Sequence, residues 1–188
     1  MTPIASLTRP DRRLSLSGVV TYTTGASVPF SGAEAVGFSL SEGVGGGFLL
    51  GGAFSATCTL TLSNRDGRFT LGRAPYGALV RVYLDAESDR MPLAVFTVSR
   101  IVRREKEPFL TLSGSDAMGT AFEAAFQDDF PYPLTLNELV SRLAGLVGFT
   151  VTDTLPYGGQ VISARPDWGD MSVRQALAFA ACAAGCFA

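Results

Sequence analysis

Phe54-Ser-Ala-Thr-Cys-Thr-Leu-Thr-Leu-Ser63 alternates without a break, with Phe54, Ala56, Cys58, Leu60 and Leu62 on one face and Ser55, Thr57, Thr59, Thr61 and Ser63 on the other. Successive side chains of a strand point to opposite faces, so this pattern is that of a half-buried β-strand with its apolar set against a core. Working outward, the same period of two predicts strands at Arg13 to Tyr22, Ala35 to Leu40, Ala78 to Leu84, Leu93 to Val102 and Phe109 to Ser113. Each is rich in β-branched or aromatic residues and bounded by Gly, Pro, Asn or Asp. Asn64-Arg-Asp-Gly67 and Glu105-Lys-Glu-Pro108 read as turns that end strands, the second closing a hairpin. Six strands spaced by turns predict an antiparallel barrel or sandwich.

After Gly114 the period lengthens to about 3.6 residues. Ala117, Met118, Ala121, Phe122 and Ala125 recur at helical spacing behind Ser115-Asp116, which predicts a helix from about Asp116 to Phe126. Asp128-Asp-Phe-Pro-Tyr-Pro133 breaks it, because prolines cannot occupy a helix interior, and reads as a linker or ordered loop. Thr135 and Glu138 then form a capping box, with Leu134 able to staple onto Leu139. Leu136, Leu139, Val140, Leu143, Ala144 and Val147 make an apolar stripe that stops at Gly148. Phe149 to Thr152 reads as a strand. The pattern returns 37 positions later: Ser172 and Gln175 repeat the capping box, Leu177, Phe179, Ala180 and Ala181 the stripe, and Gly185 the stop. Cys186 to Ala188 would begin the strand equivalent to Phe149 to Thr152, so the natural protein is expected to continue past Ala188. The fold class is therefore α+β, an antiparallel β-barrel domain over 1–114 followed by small helix-strand units over 115–188.

Composition bounds the function. Hydrophobic residues are 47% of the 188 and charged ones 17%, which excludes disorder as a description of the whole chain. Fifteen Lys and Arg stand against 17 Asp and Glu, a net charge of −2, so no basic field gathers nucleic acid or an anionic membrane surface. The chain has no His, which removes the commonest general base and the commonest metal ligand together. Three cysteines at wide spacing form no disulfide framework. Met1 to Arg13 has no apolar core of a signal peptide, and Ala176 to Ala188 is too short to span a bilayer and reads as a buried helix.

The motifs that could carry chemistry fail on inspection. Gly43 to Gly52 fits no G-x-G-x-x-G register, and the only lysine, Lys106, cannot complete a Walker A sequence, so the segment reads as a loop that orders against a partner. Asp85-Ala-Glu-Ser-Asp89 lacks the Gly and Glu of a calcium loop, since Arg90 and Phe96 stand there, and reads as a hairpin turn. Cys182 and Cys186 are half of a zinc site and are expected as small core residues. Without His, only a carboxylate pair is left for acid-base work. Asp128, Asp129, Asp167 and Asp170 are the nominal candidates, and caps and turns account for all four, so neither an enzyme nor a cofactor is expected. Arg100, Arg103, Arg104 and Lys106 are interrupted by Glu105 and Glu107 and lack interleaved aromatics, which suits a solvated edge or an inter-subunit salt-bridge surface better than a nucleic-acid groove.

Several stretches taken together resemble the hub proteins of bacteriophage and prophage tails. They are Leu60-Thr-Leu-Ser-Asn-Arg-Asp-Gly-Arg-Phe69, Gly77-Ala-Leu-Val-Arg-Val82, Leu93-Ala-Val-Phe-Thr-Val98 and Leu112-Ser-Gly-Ser-Asp-Ala-Met118. To these is added Asp167-Trp-Gly-Asp-Met-Ser-Val-Arg-Gln-Ala-Leu177 with the Phe179 to Ala188 segment behind it. The resemblance implies a barrel of the tail-tube kind, helix-strand elements after it, and assembly as a trimeric ring joining tail tube to spike in the baseplate of the virion tail, built in the host cytoplasm. Partners would be tube, spike and other baseplate proteins, with no nucleic acid and no membrane insertion. It brings no catalytic, metal or cofactor residues, and in this family longer chains continue into further domains. The expected contact elements are Gly45, Gly46, Gly47 and Phe48 in the glycine loop, and Arg100, Arg103, Arg104 and Lys106 in the hairpin. Two other readings stand beside it: a cell-wall glycan-binding or hydrolytic tail module, and an unrelated oligomeric β-barrel.

Overall fold

The computed structural model describes residues 13–43, 52–70, 74–87, 89–103 and 107–186. They divide into two compact units, one from Met1–Ser41 with Ala56–Ala117, the other from Glu42–Ser55 with Met118–Ala188.

The first unit is built on a seven-stranded sheet: β1 (Leu14–Thr21), β2 (Ser27–Phe30), β3 (Ala35–Gly43), β4 (Ser55–Ser63), β5 (Leu79–Ala86), β6 (Asp89–Arg103) and β7 (Phe109–Ser115), in the order β2-β1-β5-β6-β7-β4-β3. The β1–β2, β1–β5, β5–β6, β6–β7 and β4–β7 ladders are antiparallel. Alternation in β4 does what its sequence requires on both faces. Leu60 and Leu62 lie opposite Leu112 and Leu110, and all four are fully buried. On the other face Thr59 pairs with Ser113 and Thr61 with Thr111 through hydroxyl hydrogen bonds of 3.1 Å each. Hydroxyl pairs and apolar pairs thus fix one register together, since a one-residue slip would exchange the two faces. The core gathers Val20, Val80, Val82, Phe96, Val98 and Phe69 around these leucines, and the Tyr22 hydroxyl donates to the Phe69 carbonyl at 2.8 Å.

The expected strands are present, and β2 is an addition. Its four residues carry Pro29 in the middle, which hides it from a propensity reading. Proline lacks an N–H and is tolerated there because β2 is an edge. Closure into a barrel is the point of difference. The ladder ends at β2 and β3, with no pairing between them among the described residues, so the unit is an open antiparallel sheet. A four-residue edge interrupted by proline is poorly equipped to close such a sheet on itself.

In the second unit two helices of 11 residues, α1 (Leu136–Leu146) and α2 (Val173–Ala183), begin at the same offset in the repeat. Both capping boxes are formed: Thr135 with Glu138, and Ser172 with Gln175. Gly148 (φ 80°) and Gly185 (φ 66°) follow the helix ends in the left-handed region where a side chain would be strained. The buried face of α1 is Leu136, Leu139, Val140, Leu143 and Ala144, and that of α2 is Val173, Ala176, Ala180 and Ala181. Two short strands, β8 (Leu134–Thr135) and β9 (Val161–Ile162), pair in front of α1.

Three expectations are corrected here. No α-helix runs from Asp116 to Phe126; only Ala121–Glu123 forms a single 3-10 turn. Asp116 ties back to β4 instead of capping a helix, its N–H donating to Ala56 C=O and its carboxylate accepting from Ala56 N–H. The segment after it pairs with the chain before α2: Phe126 N–H donates to Met171 C=O, and Val173 N–H to Ala124 C=O. Those long-range bonds use the groups a helix would have turned inward. Phe149 to Thr152 is irregular rather than a strand. Cys182 is exposed and Cys186 half-buried, so neither is a core residue; α2 turns its alanines inward and leaves its thiols at the rim.

Candidate interaction surfaces

Of the expected contact residues, Gly45, Gly46, Gly47, Phe48, Arg104 and Lys106 lie outside the described residues. Arg100 and Arg103 stand at the end of β6, both exposed. Strand β6 is longer than its neighbour: β5 pairs with it only as far as Thr97, and Gly77 and Ala78 continue the hydrogen bonding to Val98. A bulge at Ser99 follows, after which Arg100 to Arg103 pair with Ser113 to Leu110 of β7 on one side. Their other side has no strand against it among the described residues. Arg100 and Val102 share one face of this end and Ile101 and Arg103 the other, so the two arginines are placed close along the chain but not on one face.

The two sheet edges differ in chemistry. Strand β2 is short and carries Pro29. Strand β3 has nine residues, no proline and no basic residue. Val36 is 55% exposed and Leu40 41% exposed, and Glu42 at its end is exposed as well. Such an edge has neither the proline nor the lysine that commonly guard a strand against pairing with another. The Asp85 to Asp89 stretch is the β5–β6 hairpin, closed by an Arg90 to Asp85 ion pair of 2.7 Å. That guanidinium holds the Asp85 carboxyl below the usual carboxylate range.

In the second unit the four candidate carboxylates, Asp128, Asp129, Asp167 and Asp170, line one open cleft of about 550 Å³ floored by Phe126 and Trp168. Asp128 is its organising group, with a side chain only 4% exposed. It accepts from Phe130 N–H at 3.0 Å, the Tyr132 hydroxyl at 2.8 Å and the Trp168 indole N–H at 2.6 Å, and Arg165 approaches at 3.5 Å. Burial alone would raise its pKa, but these donors, the Phe130 amide foremost, hold it below the ordinary value. Burial and then the hydrogen bond to Asp128 push the Tyr132 phenol up to about 12. A carboxylate with its lone pairs taken by three donors is committed to holding a loop together, and is poorly placed to act as acid, base or nucleophile. Trp168 itself stacks edge-on between Phe126 and Phe179 at 5.3 and 5.0 Å. Arg174 makes a second clasp: its guanidinium donates to Ala53 C=O at 2.7 and 2.9 Å and pairs with Glu123 at 2.6 Å. The sequence marks Asp128 only as a nominal acid-base candidate and gives Arg174 no role. The aromatic and proline residues after Asp128 were the available signal; nothing near Arg174 marks Ala53 as its partner.

Cys58 is buried, and burial followed by the neighbouring Asp116 charge raises its thiol to about 11, so it stays protonated. The described residues contain no group of three or more Cys, Asp or Glu able to hold a metal ion, and no helix long and apolar enough to cross a membrane.

With this geometry in view, the fold can be compared with known proteins. No protein-family model matches the chain, and no curated protein matches it. Among solved structures it is similar to two tail proteins, one of them from a prophage. One is the 43 kDa tail protein of prophage MuSo2 from Shewanella oneidensis, with TM-score 0.50, 14% identity, and coverage of 90% of this chain and 48% of that one. Another is the tail protein from Neisseria meningitidis MC58, with TM-score 0.47, 14% identity, and coverage of 87% and 44%. This chain spans less than half the length of either.

Proposed function

We propose that this chain is a structural component of a phage or prophage tail, a hub that connects tail tube to spike or baseplate through protein-protein contacts. The observation that carries the reading is the likeness of its fold, over 90% of its length, to the MuSo2 43 kDa tail protein. The stretches that resemble tail hubs, from Leu60 to Phe69 and from Asp167 to Leu177 among others, support it from the sequence side. So does Asp128, the best-buried of the carboxylates available for acid-base work, which is spent on structure. On this reading a β-domain over 1–114 is of the tail-tube kind, and its open sheet is completed by neighbours in a ring, a trimer. The helix-strand domain over 115–188 packs against further parts of the baseplate. Gly45, Gly46, Gly47 and Phe48, with Arg100, Arg103, Arg104 and Lys106, supply contacts, and the protein works by shape rather than by turnover. It would be assembled in the host cytoplasm and reside in the virion tail.

The test is to purify tails from cells producing them, with an epitope tag on the full-length gene product. Gold label at one end of the tail, together with peptides of this chain in the particle, is the expected result. Absence from the tails, combined with recovery of the protein on purified peptidoglycan, would replace this reading with the wall-binding one.

A further inference from the structure

Resting on that reading, we infer that the occupant of the free β3 edge is the projecting end of β6, residues Ser99 to Arg103, from a second copy of this chain, paired antiparallel with Arg100 opposite Glu42 and Val102 opposite Leu40.

Both segments are strand edges that lack a partner on one side among the described residues, β3 because it ends the sheet and β6 because β5 stops at Thr97. Their exposed side chains are complementary. Arg100 and Val102 lie two apart on one strand, and Leu40 and Glu42 two apart on the other, so each pair shares a face. An antiparallel register that sets Arg100 against Glu42 necessarily sets Val102, 37% exposed, against Leu40, 41% exposed. One register therefore joins an opposite-charge pair and an apolar pair side by side, the units of cross-strand stabilisation. Neither arginine has an ion-pair partner among the described residues, so neither is already committed elsewhere.

Direction agrees as well. β6 is antiparallel to β7, and β7 to β4; Ser63 N–H donating to Glu34 C=O joins the end of β4 to the start of β3, so β3 runs opposite to β6. A neighbouring copy carried round by rotation then presents β6 antiparallel to β3. Pairing of like with like is disfavoured, because two copies of 99–103 side by side bring arginines together. A β3-to-β6 interface is heterologous, the kind that repeats around an axis and closes a ring when the rotation permits.

Two experiments decide it. In the full-length protein with Cys182→Ser and Cys186→Ser, the pair Leu40→Cys and Val102→Cys should form chain-to-chain disulfides on mild oxidation, while either substitution alone should not. Sedimentation of Arg100→Glu or Glu42→Arg should show self-association weakened about tenfold or more, with the double exchange restoring it. Circular dichroism confirms that each variant is folded, and the paired exchange guards against a single variant that fails to fold. A folded protein that stays monomeric, disulfides in the single-cysteine variants, or a double exchange that rescues nothing would each overturn the pairing. Finding the protein in tails but without the 40–102 disulfide would sink this inference and leave the tail reading intact.

Discussion

Asp128 is where one side chain decides the most. Its carboxylate holds the Phe130 amide, the Tyr132 hydroxyl and the Trp168 indole N–H. Asp128→Ala leaves buried donors without an acceptor, and the expected cost is about 1–3 kcal/mol, read by urea unfolding. The pH dependence has a definite sign. A carboxyl whose pKa is lowered in the folded state contributes stability above its unfolded value, and that stability is lost as pH falls below about 4. Tyr132 acts at the other end: its raised pKa favours the folded state up to the phenol's unfolded value, and that contribution fades as pH rises from about 10 toward 12. Trp168 is the only tryptophan, so its fluorescence reports the acid step directly. An acid transition in the wild type that persists unchanged in Asp128→Asn would contradict this assignment.

At the scale of elements, the two capped helices were the clearest features of the sequence, because a cap is local chemistry: a hydroxyl, three residues and a Glu or Gln. Thr135→Ala and Ser172→Ala should each cost about 1 kcal/mol of stability in denaturant titration. Strand β4 was equally legible, since its alternation states both faces. The segment from Asp116 to Phe126 was not. Its apolar spacing is helical, but its backbone groups are claimed by Ala56, Met171 and Val173, and no local pattern announces partners that far along the chain. The same is true of the thiols at the end of α2, whose face is set by which alanines find a core. Gly114 illustrates packing that the sequence only hints at: a Cβ there would clash with the Thr97 backbone carbonyl oxygen. Gly114→Ala should therefore destabilise by about 1–3 kcal/mol, whereas Gly159→Ala, with nothing within 4 Å, should be near neutral in the same thermal melt.

For the whole molecule, the contrast between the two sheet edges is the leading feature. One edge is shortened and interrupted by proline, while the other is long, apolar in part and ends in a glutamate, opposite in charge to the projecting arm of β6. A chain made to stay alone has reason to guard both edges, and an asymmetry of this kind suits head-to-tail assembly. Composition points to the arginine segment, and the structure adds that β6 extends past the end of β5 and that β3 ends the sheet. The central claim is that the protein serves in a tail as a structural ring. Electron cryo-microscopy of purified tails tests it most directly. Density for this seven-stranded sheet repeated around the tail axis, with β3 of one copy beside β6 of the next, is the expected result; tails whose density accommodates no such sheet around the axis would contradict the claim.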